Sequence, residues 1–497
     1  VKKIFVAPDP GLLRLRVSLR AVLGVGLSVT AAELCGFSLA ASITAGLASL
    51  LALFTVGDAG VRAQAATTAL LPAVGFPVLA LAAALHGAPL VRDAAWLVVI
   101  FAGVYARRWG PRGHALGIFA FMMFFTAQFL HAVTGQLPEL FGAVTLAVAV
   151  SAAIRFGVWC IERRTALPSA PAPLTGRGLA RPTTRQAFQV TVACAIALGV
   201  GQVLSGDRWY WAVAAAWWIF VNTASRGETV VRGFRRVLGT VVGIMAGLLI
   251  AIPLHGAPVP TAALVAVCVF GIFYTAALSY TWMMLAVTVM AGLLYGLLGV
   301  LSPSLLALRV AETGAGALGA ALAVLLVLPV TTHATTDAWI QRTLHCVHTC
   351  AAEAAARLAG TAGADPARHV AELELLLGRV RLSLAPLVHP FTPLRARKAR
   401  ARQVVELLDR CAHEVRGLAA VAADPDASHD ARLAAACRRV EAAVHALTLA
   451  EATPHEALAP AAAAHHPAAE RALAHLHGLE QALKALADPL RGPVAPA

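Results

Sequence analysis

Arg309 and Glu312 stand three residues apart inside an apolar stretch that runs from Ser304 to Val330. Ionisable side chains within a membrane-length apolar segment are costly, so they mark candidate functional positions. On a helix this spacing lets both side chains reach one face, where they can pair. A guanidinium offers two parallel hydrogen bonds to a carboxylate, the chemistry of an organic-acid site. Glu312 is the group that could carry a proton. Counted at about 1.5 Å per residue, it falls roughly 13 Å from Pro303, near the middle of a bilayer. Arg155 and Glu33 are two further charges in apolar stretches. Arg155 lies about six residues from the end of its segment, within snorkelling reach of the headgroups. Glu33 sits near the outer end of the first segment, so a pathway role and an interfacial role are both open for these two.

Aromatic residues gather at Trp209, Tyr210 and Trp211, which fit an interfacial belt, and at Trp217 and Trp218, which lie deeper. The deeper pair could line a path for a planar substrate or simply pack. His345-Cys346-Val347-His348-Thr349-Cys350 is the best metal candidate, but its spacing on a helix does not converge four ligands as a structural zinc requires. No metal and no cofactor are expected. The chain has no nucleophile elbow, no Walker-type phosphate loop and no paired carboxylates, so it does not read as an enzyme or an ATPase. Energy for transport would have to come from a gradient.

These residues are positioned by membrane helices. Hydrophobic residues make up 59% of the chain and charged ones 13%, with a mean hydropathy of +0.73. An ordinary soluble domain is about a quarter charged. Twelve apolar segments are visible: Val17–Cys35, Phe37–Val56, Ala65–Leu85, Ala94–Ala106, Ala115–His131, Leu137–Ile161, Ala187–Leu204, Trp209–Ala224, Val237–Leu254, Thr261–Leu278, Trp282–Leu301 and Ser304–Val330. The short basic N-terminus runs into the first of them as an uncleaved span.

The segments repeat. Leu85-His86-Gly87-Ala88-Pro89 returns as Leu254-His255-Gly256-Ala257-Pro258, an offset of about 170 residues. Before each copy stands a matching loop, Gly57-Asp58 with Arg62 and Gly227-Glu228 with Arg232. The glycines would allow a sharp turn, the acids would favour the next helix N-terminus, and Arg62 and Arg232 would stand at the cytoplasmic mouth. Arg155 and Glu312 have no charged counterparts, facing Ala320 and Ala147 in the other copy. Six segments per copy make the repeats parallel. With the N-terminus inside, the inner loops hold nearly all the arginines and the outer loops only Arg92 and Arg208.

The expected architecture is therefore an all-α membrane protein. It comprises a first six-helix membrane repeat (1–166), a cytoplasmic linker rich in Pro, Ala and Gly (167–185), a second six-helix membrane repeat (186–333) and a C-terminal cytoplasmic α-helical bundle domain (334–497). The tail has about five amphipathic stretches, broken at Gly360–Pro366, Pro386–Pro393, Asp424–Ser428 and Pro454–Pro467. The formal charge is +14, but the basic residues sit at helix ends without an aromatic-studded stripe, which argues against nucleic acid. Eight cysteines form no framework of paired spacings.

The stretch Gln186–Val330 resembles the fusaric acid resistance family, which includes aromatic acid exporters of bacterial inner membranes. The likeness rests on Trp209-Tyr210-Trp211-Ala212, on Ser225-Arg226-Gly227-Glu228-Thr229 with Arg232 and Arg236, on Gly239-Thr240 with Gly243, and on Arg309-x-x-Glu312-Thr313 with Gly314 and Gly316. The first half is a degenerate copy, with Ala65 and Ala66 where the later arginines stand. The resemblance implies a multi-pass inner-membrane efflux protein for aromatic or other weak organic acids, with both termini cytoplasmic. It also implies a periplasmic adaptor and an outer-membrane channel as partners. The helical domain here is C-terminal instead of lying between the halves, which also resembles the aluminium-activated malate channels of plants. A passive organic-anion channel and a non-transporting envelope-assembly scaffold are thus alternatives, and homo-oligomerisation is open.

Overall fold

The computed structural model describes residues 12–58, 60–162, 178–221, 223, 225–254, 257–276, 278–297, 299, 301–328, 332–358, 364, 366–388, 395–422, 431–448 and 467–491. Most of the expected linker and of the breaks in the tail, with His255, His465 and His466, lie outside these residues. Among the described residues there is no strand. The chain divides into two compact units, Val1–Val330 and Thr331–Ala497.

The first unit begins with α1 (Leu13–Leu34), α2 (Leu39–Thr55), α3 (Val61–Ala84), α4 (Pro89–Tyr105), α5 (Pro111–Phe129) and α6 (Leu137–Glu162). It continues with α7 (Pro182–Leu204), α8 (Tyr210–Phe220), α9 (Arg226–Leu254), α10 (Pro258–Ala276), α11 (Tyr280–Leu297) and α12 (Pro303–Leu326). One helix coincides with each apolar segment read from the sequence, and among the described residues nine helices are long and apolar enough to cross a membrane. Proline, whose missing N–H is not needed in a first turn, opens α4, α5, α7 and α12. The hydroxyls of Ser38 and Ser302 accept hydrogen bonds from Ala41 N and Leu305 N at the starts of α2 and α12. One expectation fails locally. Helix α9 starts at Arg226, so Gly227 and Glu228 lie in its first turn and Gly227 makes no loop.

Packing within the two halves follows one scheme. In the first, α1 packs on α2 and α6, α2 on α6, α3 on α5 and α6, and α4 on α5. In the second, α7 packs on α8 and α12, α8 on α12, α9 on α11 and α12, and α10 on α11. Contacts between halves are reciprocal as well, with α4 against α7 and α10 against α1. An aromatic cluster joins them near α5 and α8. Phe121 stacks on Trp217 with ring centroids 4.1 Å apart and planes 3° from parallel, and Trp96 stacks on Phe124 at 5.3 Å. Small residues let the α8–α12 crossing close. A Cβ on Gly316 would come within 2.6 Å of the Ala212 carbonyl oxygen, so no larger residue fits without separating the helices.

The second helix of each half is short, with 17 residues in α2 and 11 in α8. At about 1.5 Å per residue, neither spans a hydrocarbon core of about 30 Å. The last carbonyls of a helix lack partners within it, and in both helices side chains supply donors. Arg155 of α6 donates from Nη1 to the Val56 carbonyl at 3.0 Å and from Nη2 to the Ala52 carbonyl at 3.0 Å. At the end of α8, Gln186 donates to the Phe220 carbonyl at 3.2 Å and to the Thr223 carbonyl at 2.6 Å, and Arg107 also donates to Phe220. Arg155 therefore caps α2, its guanidinium bonded to the last carbonyls of that helix.

The second unit contains α13 (Thr332–Leu358), α14 (Pro366–Val388), α15 (Arg395–Ala422), α16 (Ala431–Thr448) and α17 (Pro467–Arg491). Each buries an apolar stripe, as with Leu373, Leu376, Leu377 and Val380 of α14. Glu480 of α17 is buried, which opposes its ionisation, but Lys484 and Arg439 outweigh that cost and hold the carboxylate below its ordinary range. Cys346 and Cys350 are buried on α13. Among the described residues no group of three or more His, Cys, Asp or Glu is placed to hold a metal.

Two substitutions test this packing. Arg155→Met leaves the α2 carbonyls without donors and should destabilise the membrane unit by about 3 kcal/mol, read as a lower melting temperature in detergent, while the folded fraction keeps its solute affinity. A stable Arg155→Met protein with lost affinity would place Arg155 on the solute path. Gly316→Ala should cost about 1–3 kcal/mol by overpacking α8 against α12. An unchanged melting temperature would show that this crossing is loose.

Candidate functional site

A cavity of about 150 Å³ opens between the two halves. Its walls are chiefly the second and fifth helices of each half, α2, α5, α8 and α11, and those walls are apolar: Phe54, Met122, Phe125, Trp218, Met283 and Met290 are among the lining residues. Two cations face it, Arg236 from α9 and Arg309 from α12. This is the form of a small-molecule site, a mostly apolar concavity with a few convergent polar groups.

Each cation is held by an aromatic residue. The Arg309 guanidinium carbon lies 3.5 Å from the centroid of the Trp211 ring, and Arg309 is only 7% exposed. Arg236 donates from Nη1 to the Tyr280 hydroxyl and to Met284 Sδ, both at 3.0 Å. On the other side of the same tyrosine, the Arg232 guanidinium lies 3.9 Å from the ring centroid. Glu312 is fully buried, and neither carboxylate oxygen has a hydrogen-bond partner among the described residues. Arg309 and Glu312 share a helix but form no ion pair, because the guanidinium lies on Trp211 of α8 instead. A desolvated cation–π contact of this kind is worth about 2 kcal/mol.

The remaining sequence candidates fall elsewhere. Glu33 is exposed in the last turn of α1 and does not line the cavity. Arg62 is exposed in the first turn of α3. Trp217 is a core residue stacked on Phe121, whereas Trp218 does line the cavity. Trp209 and Trp211 do not form an exposed interfacial belt: Trp209 is buried against Trp96, and Trp211 is the platform under Arg309.

Sequence reasoning passed over Arg236 as a site residue, together with Trp211, Tyr280 and Tyr295. Arg236 was placed in an inner loop because the apolar run begins at Val237. Helix α9 begins ten residues earlier than Arg236, at Arg226. That places Arg236 about 15 Å along the helix. The signal available was the i,i+4 spacing of Arg232 and Arg236, which puts both on one helix face.

Comparison with curated proteins and with solved structures finds no match. A family model does match: residues 192–324 match that of the fusaric acid resistance protein-like family. The matched segment runs from within α7 to within α12 and includes every charged residue of the cavity, while Glu33, Arg62 and Arg155 lie outside it. Helical throughout its described residues, nine of whose helices are long and apolar enough to cross a bilayer, the chain is a multi-pass membrane protein whose residues 192–324 match the fusaric acid resistance protein-like family.

Proposed function

We propose that the protein exports weak organic anions, foremost aromatic carboxylates, across a bacterial inner membrane through the cavity between its halves. The observation that carries this reading is Arg309: a buried guanidinium facing the cavity, lying on Trp211, with no carboxylate paired to it among the described residues. A buried cation without an anionic partner is expensive unless a ligand completes it. An aromatic carboxylate supplies both halves of the fit, an anionic fork for the guanidinium and a flat apolar body for the Met and Phe walls.

In this reading the two halves are parallel six-helix repeats related by an axis along the membrane normal, as the reciprocal packing of α4 on α7 and α10 on α1 favours. The arginine-rich loops then face the cytoplasm with both termini and the C-terminal helical unit. Transport draws on a proton gradient, and Glu312, buried beside the cavity without a hydrogen bond, takes up the coupling proton.

Reconstituted into liposomes, the wild-type protein should show saturable, gradient-dependent flux of an aromatic carboxylate such as benzoate. Arg309→Ala should lower that flux at least about tenfold, the loss of one charge-assisted contact, with insertion and melting temperature retained. Wild-type flux in Arg309→Ala would overturn the site. Flux that persists at full rate after the proton gradient is collapsed would make the protein a passive anion channel.

A further inference from the structure

The cations of the membrane unit differ in their partners. Ring contact alone does not divide them, since Arg92 lies over Trp209 and Arg108 over Tyr105 while both also bond oxygen. One group donates to oxygen, although Arg107 Nη2 finds no acceptor among the described residues. Arg92 is ion-paired to Asp93 at 2.9 Å, Arg107 donates to Gln186 and to the Phe220 carbonyl, Arg112 donates to Thr67, and Arg155 caps α2. The other group is held by aromatic residues. Arg232 lies over the Tyr280 ring, Arg236 bonds its hydroxyl, Arg309 lies over Trp211, and Arg208 faces the Tyr295 ring at 5.6 Å. None of these last four is ion-paired to a carboxylate among the described residues.

The distinction matters physically. A carboxylate partner cancels an arginine's charge, whereas an aromatic face fixes the guanidinium and leaves the charge intact for a mobile anion. The four are also ordered in space. Tyr280 and Tyr295 stand at opposite ends of α11, fifteen residues or about 22 Å apart along the helix. Arg232 and Arg236 therefore gather at the Tyr280 end of α11 and Arg208 at the Tyr295 end, and of these three only Arg236 lines the cavity. Arg309 lines the cavity together with Arg236 and with Tyr295, the residue that Arg208 faces. Among its described residues the first half offers no ionisable group to the cavity; α2 and α5 line it with apolar side chains such as Leu47, Phe54, Met122 and Phe129.

We propose that Arg232, Arg236, Arg309 and Arg208 form a one-sided relay for the anion, with Arg208 its exit site and the first half a smooth apolar wall. This rests on the transport reading above. Several guanidiniums in sequence let an anion be bound firmly enough to enter and released by hand-off to the next, as conduction through a low-dielectric path requires. Arg208 is the new assignment, a substrate-binding residue at the end of α11 remote from Arg232.

The test compares Arg208 with Arg92, a neighbouring cation that lies over Trp209 but is already ion-paired. Benzoate flux into and out of liposomes holding the full chain is measured for Arg208→Gln, Arg208→Lys, Arg232→Gln and Arg92→Gln, each normalised to folded, inserted protein. The relay predicts a flux loss of about fivefold or more for Arg208→Gln, with the half-saturating concentration raised only for anion entering from the Arg208 face. Arg232→Gln should do the same from the opposite face, Arg208→Lys should keep most of the flux, and Arg92→Gln should stay within about twofold of wild type. Equal losses in Arg208→Gln and Arg92→Gln, or symmetric effects on both faces, would overturn the relay. If Arg309→Ala abolishes flux while Arg208→Gln and Arg232→Gln leave it intact, the relay fails and the cavity stands. An absence of flux in the wild type would instead remove the transport reading itself.

Discussion

A positive charge placed in an apolar cavity must be held in position by something, and what holds it decides what it can do. In this protein Arg309 rests on the face of Trp211 and Arg232 on the face of Tyr280. A ring quadrupole attracts the guanidinium without neutralising it, so the cavity keeps a positive potential inside surroundings that amplify it. The same arginines paired to carboxylates would be structural, as Arg92 is with Asp93. Held on rings, they keep the charge that the proposed anion site requires.

The rest of the membrane unit serves that arrangement. Trp211 belongs to a helix of only 11 residues, and such a short helix persists in a bilayer only if its end is capped; Gln186 and Arg107 supply the donors. Close crossing at Gly316 keeps α12, and with it Arg309, against the Trp211 helix. Stacking of Trp217 on Phe121 ties the same helix to the other half. The site is thus fixed by three kinds of contact, a polar cap, a glycine crossing and an aromatic stack, none of which touches the solute.

Much of this was legible in the sequence, and the failures have physical causes. Apolar run length located the helices, since a bilayer-sized helix needs a bilayer-sized run. Arg309 and Glu312 stood out because charge is rare in such runs. Arg155 stood out equally, but its partners could not be read: they are α2 carbonyls about a hundred residues away, and backbone acceptors leave no mark on a sequence. Arg236 was hidden by the converse problem: a helix can begin well before its apolar run, so a hydropathy edge at Val237 concealed a cation inside α9. Trp211 fitted an interfacial belt by position, and only the packing of α12 on α8 makes it a platform. Residue type left both a pathway and an interfacial role open for Glu33, which is exposed at the end of α1.

The central claim is that the guanidinium of Arg309 is the anchor for an anion bound between the two halves. A cryo-electron microscopy structure of the full chain in lipid nanodiscs, with benzoate at saturating concentration, tests it most directly. The account predicts ligand density in the cavity with its carboxylate on Arg309, its ring against the walls of α5 and α11, and Trp211 still stacked beneath the guanidinium. An empty cavity with Arg309 turned onto the Glu312 carboxylate would contradict it.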